Sequence, residues 1–539
     1  MSSFKATLGP FRSALGEDTF ARKYKHGGAE DWDTLCVTLV NEVMIKSSDD
    51  TKKQMIKYMQ DMKFIPGGRY LYYAGRGRRF YNNCYLLRAE EDSREGWADL
   101  SWRSESCLLT GGGIGIDYSR LRPSGSVIKK TGGQASGPIP KMKMINEIGR
   151  HVMQGGSRRS AIYGSLNWKH DDAFDLLYVK DWSEDIKKLK EKDFNFPAPL
   201  DMTNISLNYD TDWLMYYYNT GDVGEIFLRN CQQALNTGEP GFSFNFFDKE
   251  NETLRNACTE VCSEDDSDVC NLGSLNLSRI DNLNEFADVV ALSTEFLLSG
   301  TLVADLPYEK VKQVREKNRR LGLGLMGVHE WLLKRGAKYE VNTELKQWLE
   351  VYKGVSDDRA RSFANTCGVS TPIAVRSIAP TGTIGMIAGT TTGIEPVFAV
   401  AYKRRYLTNG TEWKYQYAVD STAQELINLG IDPDKIETAN DLAKDYERRI
   451  RFQADVQDYV DQSISSTINL PQSGFINADD FARTLAKYAS RLRGFTAYPD
   501  GARGGQPITQ VPYTEVKDKV GTEYTEEFND SCQGGVCGI

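Results

Sequence analysis

Between Thr34 and Phe64, apolar residues recur at helical intervals in TLCVTLVNEVM and again in TKKQMIKYMQDMKF, which predicts amphipathic helices. The turn IPGGR, Ile65–Arg69, closes that region. From there to about Arg503 the pattern is mixed. GIGIDY, TNISLNY and PIAVRSIAP are short, nearly continuous apolar runs of the kind carried by buried strands. INEIGRHVM and DLAKDYERRIRFQADVQDYVDQSI repeat instead at helical spacing. The interleaving predicts an α/β body, with no internal repeat. After Gly505 the chain turns polar and acidic and ends in Cys532-Gln-Gly-Gly-Val-Cys537, a composition expected of a mobile tail. A coil from Gly505 to Cys532 would span roughly 25–30 Å root-mean-square, enough to carry a dithiol from a buried site to the surface. Three regions are therefore expected: a helical region over 1–65, a catalytic body over 66–504 and a flexible tail over 505–539.

Charge and cysteine content narrow the function classes. A net charge of -8 argues against broad electrostatic binding to a nucleic-acid polymer. No opening stretch has a basic-then-apolar pattern, and no apolar run reads as long enough to cross a bilayer, so a cytoplasmic protein with no membrane partner is expected. There, ten cysteines are not a structural disulfide scaffold, and any that pair do so in catalysis. Four scattered histidines give no His-rich metal site, and no metal is expected.

The candidate chemistry lies in NACTEVCSEDDSDVCNLGSLNL, Asn256–Leu277. Cys258, Cys262 and Cys270 have irregular spacing for zinc or an iron–sulfur cluster, and singly each reads as a small buried hydrophobe. Asn256 and Glu260 weigh against that bland reading. In an extended segment Asn256, Cys258 and Glu260 share one face, a costly set to bury without purpose and a sensible one for gripping a polyhydroxylated substrate with a carboxylate as proton acceptor. Pro380-Thr-Gly-Thr-Ile384 is a small-residue turn that lets backbone N–H groups approach phosphate, although an ordinary turn explains it equally well. Gly322-Leu-Gly-Leu-Met-Gly327 matches a dinucleotide fingerprint but follows charged EKNRRL rather than an apolar strand, so packing is the better account.

Taken in order, Asn82–Leu87 (NNCYLL), Asn256-x-Cys258-x-Glu260 with Cys270-Asn-Leu-Gly-Ser-Leu-Asn-Leu, Ser377–Pro396 (SIAPTGTIGMIAGTTTGIEP) and the closing C-x-x-x-x-C closely resemble the motifs of ribonucleotide reductases. The resemblance implies a ten-stranded α/β barrel of two five-stranded parallel halves with a central finger loop, a helical N-terminal region and a flexible C-terminal tail. It implies that Cys258 carries a thiyl radical, that Glu260 takes the 3′-hydroxyl proton, and that Asn256 and Asn83 hold substrate. Cys84 and Cys270 would supply two electrons and close into a disulfide, which requires Cα atoms within about 7 Å. Cys532 and Cys537 would re-reduce it and be recharged by a thioredoxin- or glutaredoxin-like protein. Thr381, Gly382, Thr383 and Ile384 would bind substrate phosphate. A deoxynucleotide specificity effector would meet Asp92, Arg122 and Lys129, and Arg158, in Gln154–Arg159, would relay its identity. A glycine-rich helix is implied near Gly322, and a homodimer is expected because DYSRLRPSG runs without the insertion of the single-chain subgroup.

The radical source is read from two departures. The adjacent tyrosines of reductases fed by a di-metal subunit are broken here, Tyr498 following Ala497 in TAYPDGARGG, and the short interval from Cys258 to Cys270 resembles the adenosylcobalamin-dependent group. GGVCGI invites comparison with glycyl-radical versions, which Glu260 and the paired tail cysteines fit poorly. Adenosylcobalamin is therefore the expected cofactor. A subunit requiring a separate di-metal protein and a catalytically idle nucleotide-binding regulator are the alternatives.

Overall fold

The computed structural model describes residues 10–524 apart from 130–131, 155–157, 194–195, 409–411, 472–473 and 500–507. The helices predicted before Phe64 and over INEIGRHVM are present, whereas the long one expected from Asp441 to Ile464 is divided into Ala439–Leu442 and Tyr446–Gln457, and Ile464 bridges Ile378 as a strand would. Trp32–Val43 begins where the Asp31 side chain accepts from Thr34 N–H, and Asp49–Gln60 where Ser48 accepts from Thr51 N–H. Each cap satisfies a first-turn donor that has no partner inside the helix. Their apolar faces join the core that also holds Phe64, Ile65, Leu297 and Leu325. Strand Phe64–Pro66 spans the expected boundary at residue 65 and pairs with Gly273–Leu275.

Strands Cys84–Leu87, Gly113–Asp117, Ile162–Asn167, Thr203–Tyr209 and Gly241–Phe244 lie parallel in chain order. Helices such as Arg94–Leu109, Pro138–His151 and Glu225–Thr237 make the crossovers between them, as parallel strands require. A second parallel set runs through Asp268–Asn276, Leu321–Met326, the segment around 376–378, and Thr467–Leu470 with Gly494–Pro499. Two isolated bridges, Leu323 to Arg376 and Ile378 to Ile464, carry the pairing across its middle. The sets meet antiparallel at both edges, Cys84–Leu86 against Asp268–Cys270 and Phe242–Ser243 against Gly494–Phe495. The two sets thus close on one another as the ten-stranded α/β barrel that the sequence motifs imply, with Phe64–Pro66 added at its margin.

Three sequence expectations need correction. Gly322 and Gly324 lie on a strand, Leu321–Met326, not on a glycine-rich helix. A Cβ on Gly322 would stand 2.2 Å from Leu272 and 3.1 Å from Cys270 Sγ, so strand packing explains the glycines. Helix Leu283–Val303 is long and apolar enough to cross a membrane by length and composition, contrary to the reading of the chain as lacking such a run, and 67% of its most apolar window is buried inside the protein. Finally, the chain after Gly505 is not structureless throughout. Ile508–Gln510 and Glu523–Tyr524 pair with the two outer edges of the hairpin Ala401–Thr408/Glu412–Val419, making a four-stranded sheet. An open hairpin offers two rows of unpaired backbone groups, and short flanking strands satisfy them.

Candidate functional site

The lumen of the barrel is filled by a hairpin. Leu254–Arg255 pairs antiparallel with Cys262–Ser263, leaving residues 256–261 as its tip. This corrects the expectation of one extended face. Asn256, Cys258 and Glu260 lie in a turn closed by Thr259 N–H to Asn256 O (3.0 Å), with Thr259 in the left-handed region at φ 68°, and the turn rather than strand alternation brings their side chains together. The strand GIGID makes room for it. A Cβ on Gly115 would fall 1.6 Å from Arg255 O and one on Gly113 would stand 3.2 Å from the Ala257 Cβ, so only glycine lets the hairpin pass.

The hairpin is held from both halves of the barrel. Asn204 Nδ2 donates to Ala257 O (3.1 Å), and Ser463 N–H donates to Glu260 O (2.8 Å). At its base the buried Arg255 guanidinium donates to Asn245 Oδ1 (2.5 Å), Arg493 O (3.2 Å), Phe244 O (3.4 Å) and Glu252 O. On the returning strand Ser263 Oγ donates to Asp268 Oδ2 (2.7 Å), which also pairs with the buried Arg320 at 2.9 Å. Leu254 and Val261 pack with Cys84, Leu86, Cys270, Leu272 and Ala379.

Cys84 and Cys270 are cross-strand partners in register. Such pairs have Cα atoms roughly 4.5–5.5 Å apart, inside the range a disulfide spans. Asn256 Nδ2 donates to Cys84 Sγ at 2.9 Å, the Cys84 thiol points at Glu260 Oε1 at 4.0 Å, and Asn256 Oδ1 accepts from Val261 N–H at 2.9 Å. Burial pushes the Cys84 thiol well above its ordinary pKa, reinforced by the Glu260 carboxylate. Burial likewise raises Cys270. Both therefore stand as neutral thiols rather than nucleophilic thiolates at pH 7. Burial pushes Glu260 up to about 7, against a lowering hydrogen bond from Asn256. A carboxyl poised there can accept or return a proton near neutral pH.

A cavity of about 310 Å³ opens on this cluster, lined on one side by Asn83, Cys84, Asn256, Cys258 and Glu260 and on another by Thr381–Ile384. Glu260 Oε2 and Asn83 Oδ1 are buried without a hydrogen-bond partner, an expense that a bound hydroxyl or amide would relieve. Thr381 adopts φ 50° at the start of helix Gly382–Ala388, and its hydroxyl accepts from Gly393 N–H (2.8 Å). The N–H groups of that first turn have no acceptor within the helix. Tyr24 and Arg69 also line the cavity and were missed in the sequence reading. For Arg69 a signal existed in IPGGR, which was read only as a turn.

Among the described side chains, Asp92, Arg122 and Lys129 do not line this cavity. Asp92 and Arg122 meet each other, as an ion pair at 2.5 Å with Arg122 N–H also on Asp92 Oδ2 (3.1 Å). Lys129 is exposed, beside the small hairpin Val127–Ile128/Gly133–Gln134. Arg158 contributes backbone to the pair Met153–Gln154/Arg158–Arg159, and its side chain lies outside the described residues. Cys532 and Cys537 lie outside them as well.

Comparison with known proteins gives consistent matches. The family described as "Ribonucleotide reductase, barrel domain" matches residues 82–198, 208–347 and 373–498. The chain is 27% identical to the "Vitamin B12-dependent ribonucleoside-diphosphate reductase" of Mycobacterium tuberculosis (strain CDC 1551 / Oshkosh), over 89% of this chain and 76% of that protein. It is also 27% identical to the protein of the same name from Thermoplasma acidophilum, over 89% and 71%. The solved "Actinobacillus ureae class Id ribonucleotide reductase alpha subunit" superposes with a TM-score of 0.72 at 16% identity, covering 91% of this chain and 97% of that one, a likeness of fold.

Proposed function

This chain belongs to the ribonucleotide reductase family, and from that premise we propose that it is an adenosylcobalamin-dependent reductase converting ribonucleotides to 2′-deoxyribonucleotides. The observation that carries this reading is the single cavity faced by Asn256, Cys258, Glu260 and Cys84 and walled opposite by Thr381–Ile384, with Cys270 the cross-strand partner of Cys84. The relatives from M. tuberculosis and T. acidophilum carry vitamin B12 dependence in their names.

In this reading Cys258, as a thiyl, takes the hydrogen atom from C3′ of the substrate ribose. Glu260 accepts the 3′-hydroxyl proton as the 2′-hydroxyl leaves, while Asn256 and Asn83 hold the hydroxyls. Cys84 and Cys270 together give two electrons and two protons and join as a disulfide. One of those protons leaves in the water and the other hydrogen ends on C2′. Glu260 then returns its proton, and Cys258 returns the hydrogen atom to C3′ and is again a thiyl. The raised pKa of the paired thiols supports this role, because a neutral S–H can give up both hydrogen and electron. Thr381, Gly382, Thr383 and Ile384 bind the phosphates through backbone N–H groups.

Adenosylcobalamin, when bound, supplies the unpaired electron through its weak cobalt–carbon bond. The residues suited to hold it line a second cavity of about 560 Å³ that shares Pro380 with the first and reaches Gly385 on helix Gly382–Ala388. Tyr402, Gln416, Asp420, Asn469 and Tyr498 lie on its lining, a donor set of aromatic faces, amides and a carboxylate that fits a nucleoside and the amide rim of a corrin.

Around this centre the reading adds the deoxynucleotide effector at Asp92, Arg122, Lys129 and Arg158, and a thioredoxin- or glutaredoxin-like reductant acting through Cys532 and Cys537. It adds a homodimer, supported by exposed Trp102 and Leu109 on Arg94–Leu109 and exposed Met144 on Pro138–His151. The enzyme is taken to be cytoplasmic, where thiols are kept reduced between turnovers.

The test is a reductase assay on all four ribonucleotides, as di- and triphosphates, with this chain alone, adenosylcobalamin and a dithiol. Turnover is expected. Turnover that depends on a separate di-metal protein rejects the cofactor assignment, and none under either condition rejects the reductase.

A further inference from the structure

The outer end of the substrate cavity is finished by the N-terminal helix, and we infer that Lys23 on that helix is a further substrate-binding residue, a cation that meets the phosphates of a nucleoside di- or triphosphate. The inference rests on the reading of Thr381–Ile384 as the phosphate segment. Lys23 Nζ donates to Thr383 Oγ1 at 3.4 Å, and the next residue, Tyr24, lines the cavity itself. Gly382 is exposed and Thr383 half-buried, so this end is open to solvent and Lys23 stands at its mouth.

The placement of Lys23 is imposed by backbone packing. Helix Ala14–Lys23 lies so close to helix Gly382–Ala388 that a Cβ on Gly16 would stand 2.8 Å from Met386 O and 2.9 Å from Ile387 O. Only glycine permits that approach. At the same contact a Cβ on Gly389 would meet the Arg12 Cβ at 2.8 Å, and Arg12 is tied to the buried Glu330 by an ion pair at 2.5 Å. Phe20 packs edge-on against Trp32 with ring centroids 6.0 Å apart, which joins the helix to the core. Lys23 occupies the last turn, where the helix dipole favours a cation. Two helices are thus locked so that the end of one sets a positive charge against Thr383 of the other. Thr383 is 360 residues away in the chain, so no local motif announces the pairing.

Steady-state kinetics on the full chain with adenosylcobalamin and dithiol test it, using CDP and CTP with wild type, Lys23→Gln, Lys23→Glu and Lys23→Arg. Lys23→Gln is expected to raise KM about tenfold, ~1.4 kcal/mol of binding, with kcat within about twofold, as loss of uniform binding requires. Lys23→Glu is expected to raise KM further, and Lys23→Arg to restore most of the affinity. Inorganic pyrophosphate, as a competitive inhibitor, is expected to weaken in step with KM. An unchanged KM and pyrophosphate inhibition in Lys23→Gln and Lys23→Glu overturns the inference while leaving the reductase reading intact. So does a fall in kcat alone, which assigns Lys23 to wall packing. A wild-type chain without turnover counts against the reductase reading instead.

Discussion

The inner and outer ends of the candidate substrate cavity are built on opposite plans. At the inner end, Cys84, Asn256 and Glu260 are buried, and the hairpin that carries two of them is bonded to Asn204 on one half of the barrel and Ser463 on the other. At the outer end, Gly382 is exposed, Tyr24 joins the lining, and Lys23, at the end of a helix outside the barrel, donates to Thr383. A radical and a carboxyl of raised pKa need a dry, preorganised surround. A polyphosphate needs an open mouth with donors and a positive charge, and neither demands deep burial.

The comparison breaks most sharply at Cys258. Cys258→Ala is expected to lower kcat by ~10⁴-fold or more, as for groups acting as a unit, while nucleotide affinity in equilibrium dialysis stays within about threefold; retained turnover would end the proposed chemistry.

Glu260→Gln is expected to cost about 10³-fold in kcat. It should also remove a pH limb. Glu260 accepts a proton only when ionised, so wild-type kcat should fall as pH drops through about 7, and the variant should lack that inflection. Stability should respond in the opposite sense. Because the folded state binds the proton more tightly than the unfolded chain, whose carboxyl titrates near 4.5, wild-type stability should decline from about pH 4.5 to 7 and carry the full charge-burial penalty above. Glu260→Gln should therefore raise the thermal midpoint at pH 8 and leave it nearly unchanged at pH 4.

The anchoring of the hairpin can be attacked without touching substrate. Asp268→Ala leaves the buried Arg320 guanidinium without its carboxylate and is expected to destabilise the fold by about 3 kcal/mol, measured by urea unfolding. A loss near that of a surface pair would mean that the inner end is held otherwise. The smallest effect belongs to the outer end. Thr383→Val removes one hydroxyl and should raise KM only several-fold, ~1 kcal/mol, with kcat preserved; a large loss of kcat would erase the distinction between the two ends.

Legibility in the sequence followed the range of the interactions. Apolar period marked the helices Trp32–Val43 and Asp49–Gln60 and the strands Gly113–Asp117 and Thr203–Tyr209, because each buries one continuous surface of its own. The segment around 376–378 was read as a strand and pairs only through single bridges. The strands after Gly505 were invisible, since Ile508–Gln510 and Glu523–Tyr524 are too short to show a period and depend on the hairpin edge they complete. In the candidate site, the residue types in Asn256–Glu260 pointed to chemistry, whereas their geometry did not follow from strand alternation, because the positive φ of Thr259 belongs to a turn.

By itself the amino-acid sequence determined the inventory: a thiol, an amide and a carboxylate within five residues, two further cysteines, a small-residue turn and the α/β alternation around them. Side-chain chemistry and local periodicity are properties of short stretches of chain and survive without knowledge of the fold. Only the tertiary structure decided that Cys84 faces Cys270, that Glu260 is buried enough to titrate near 7, and that Lys23 reaches Thr383. Those facts depend on which distant strands close the barrel and on how much water their closure expels, and burial and long-range register are sums over the whole chain.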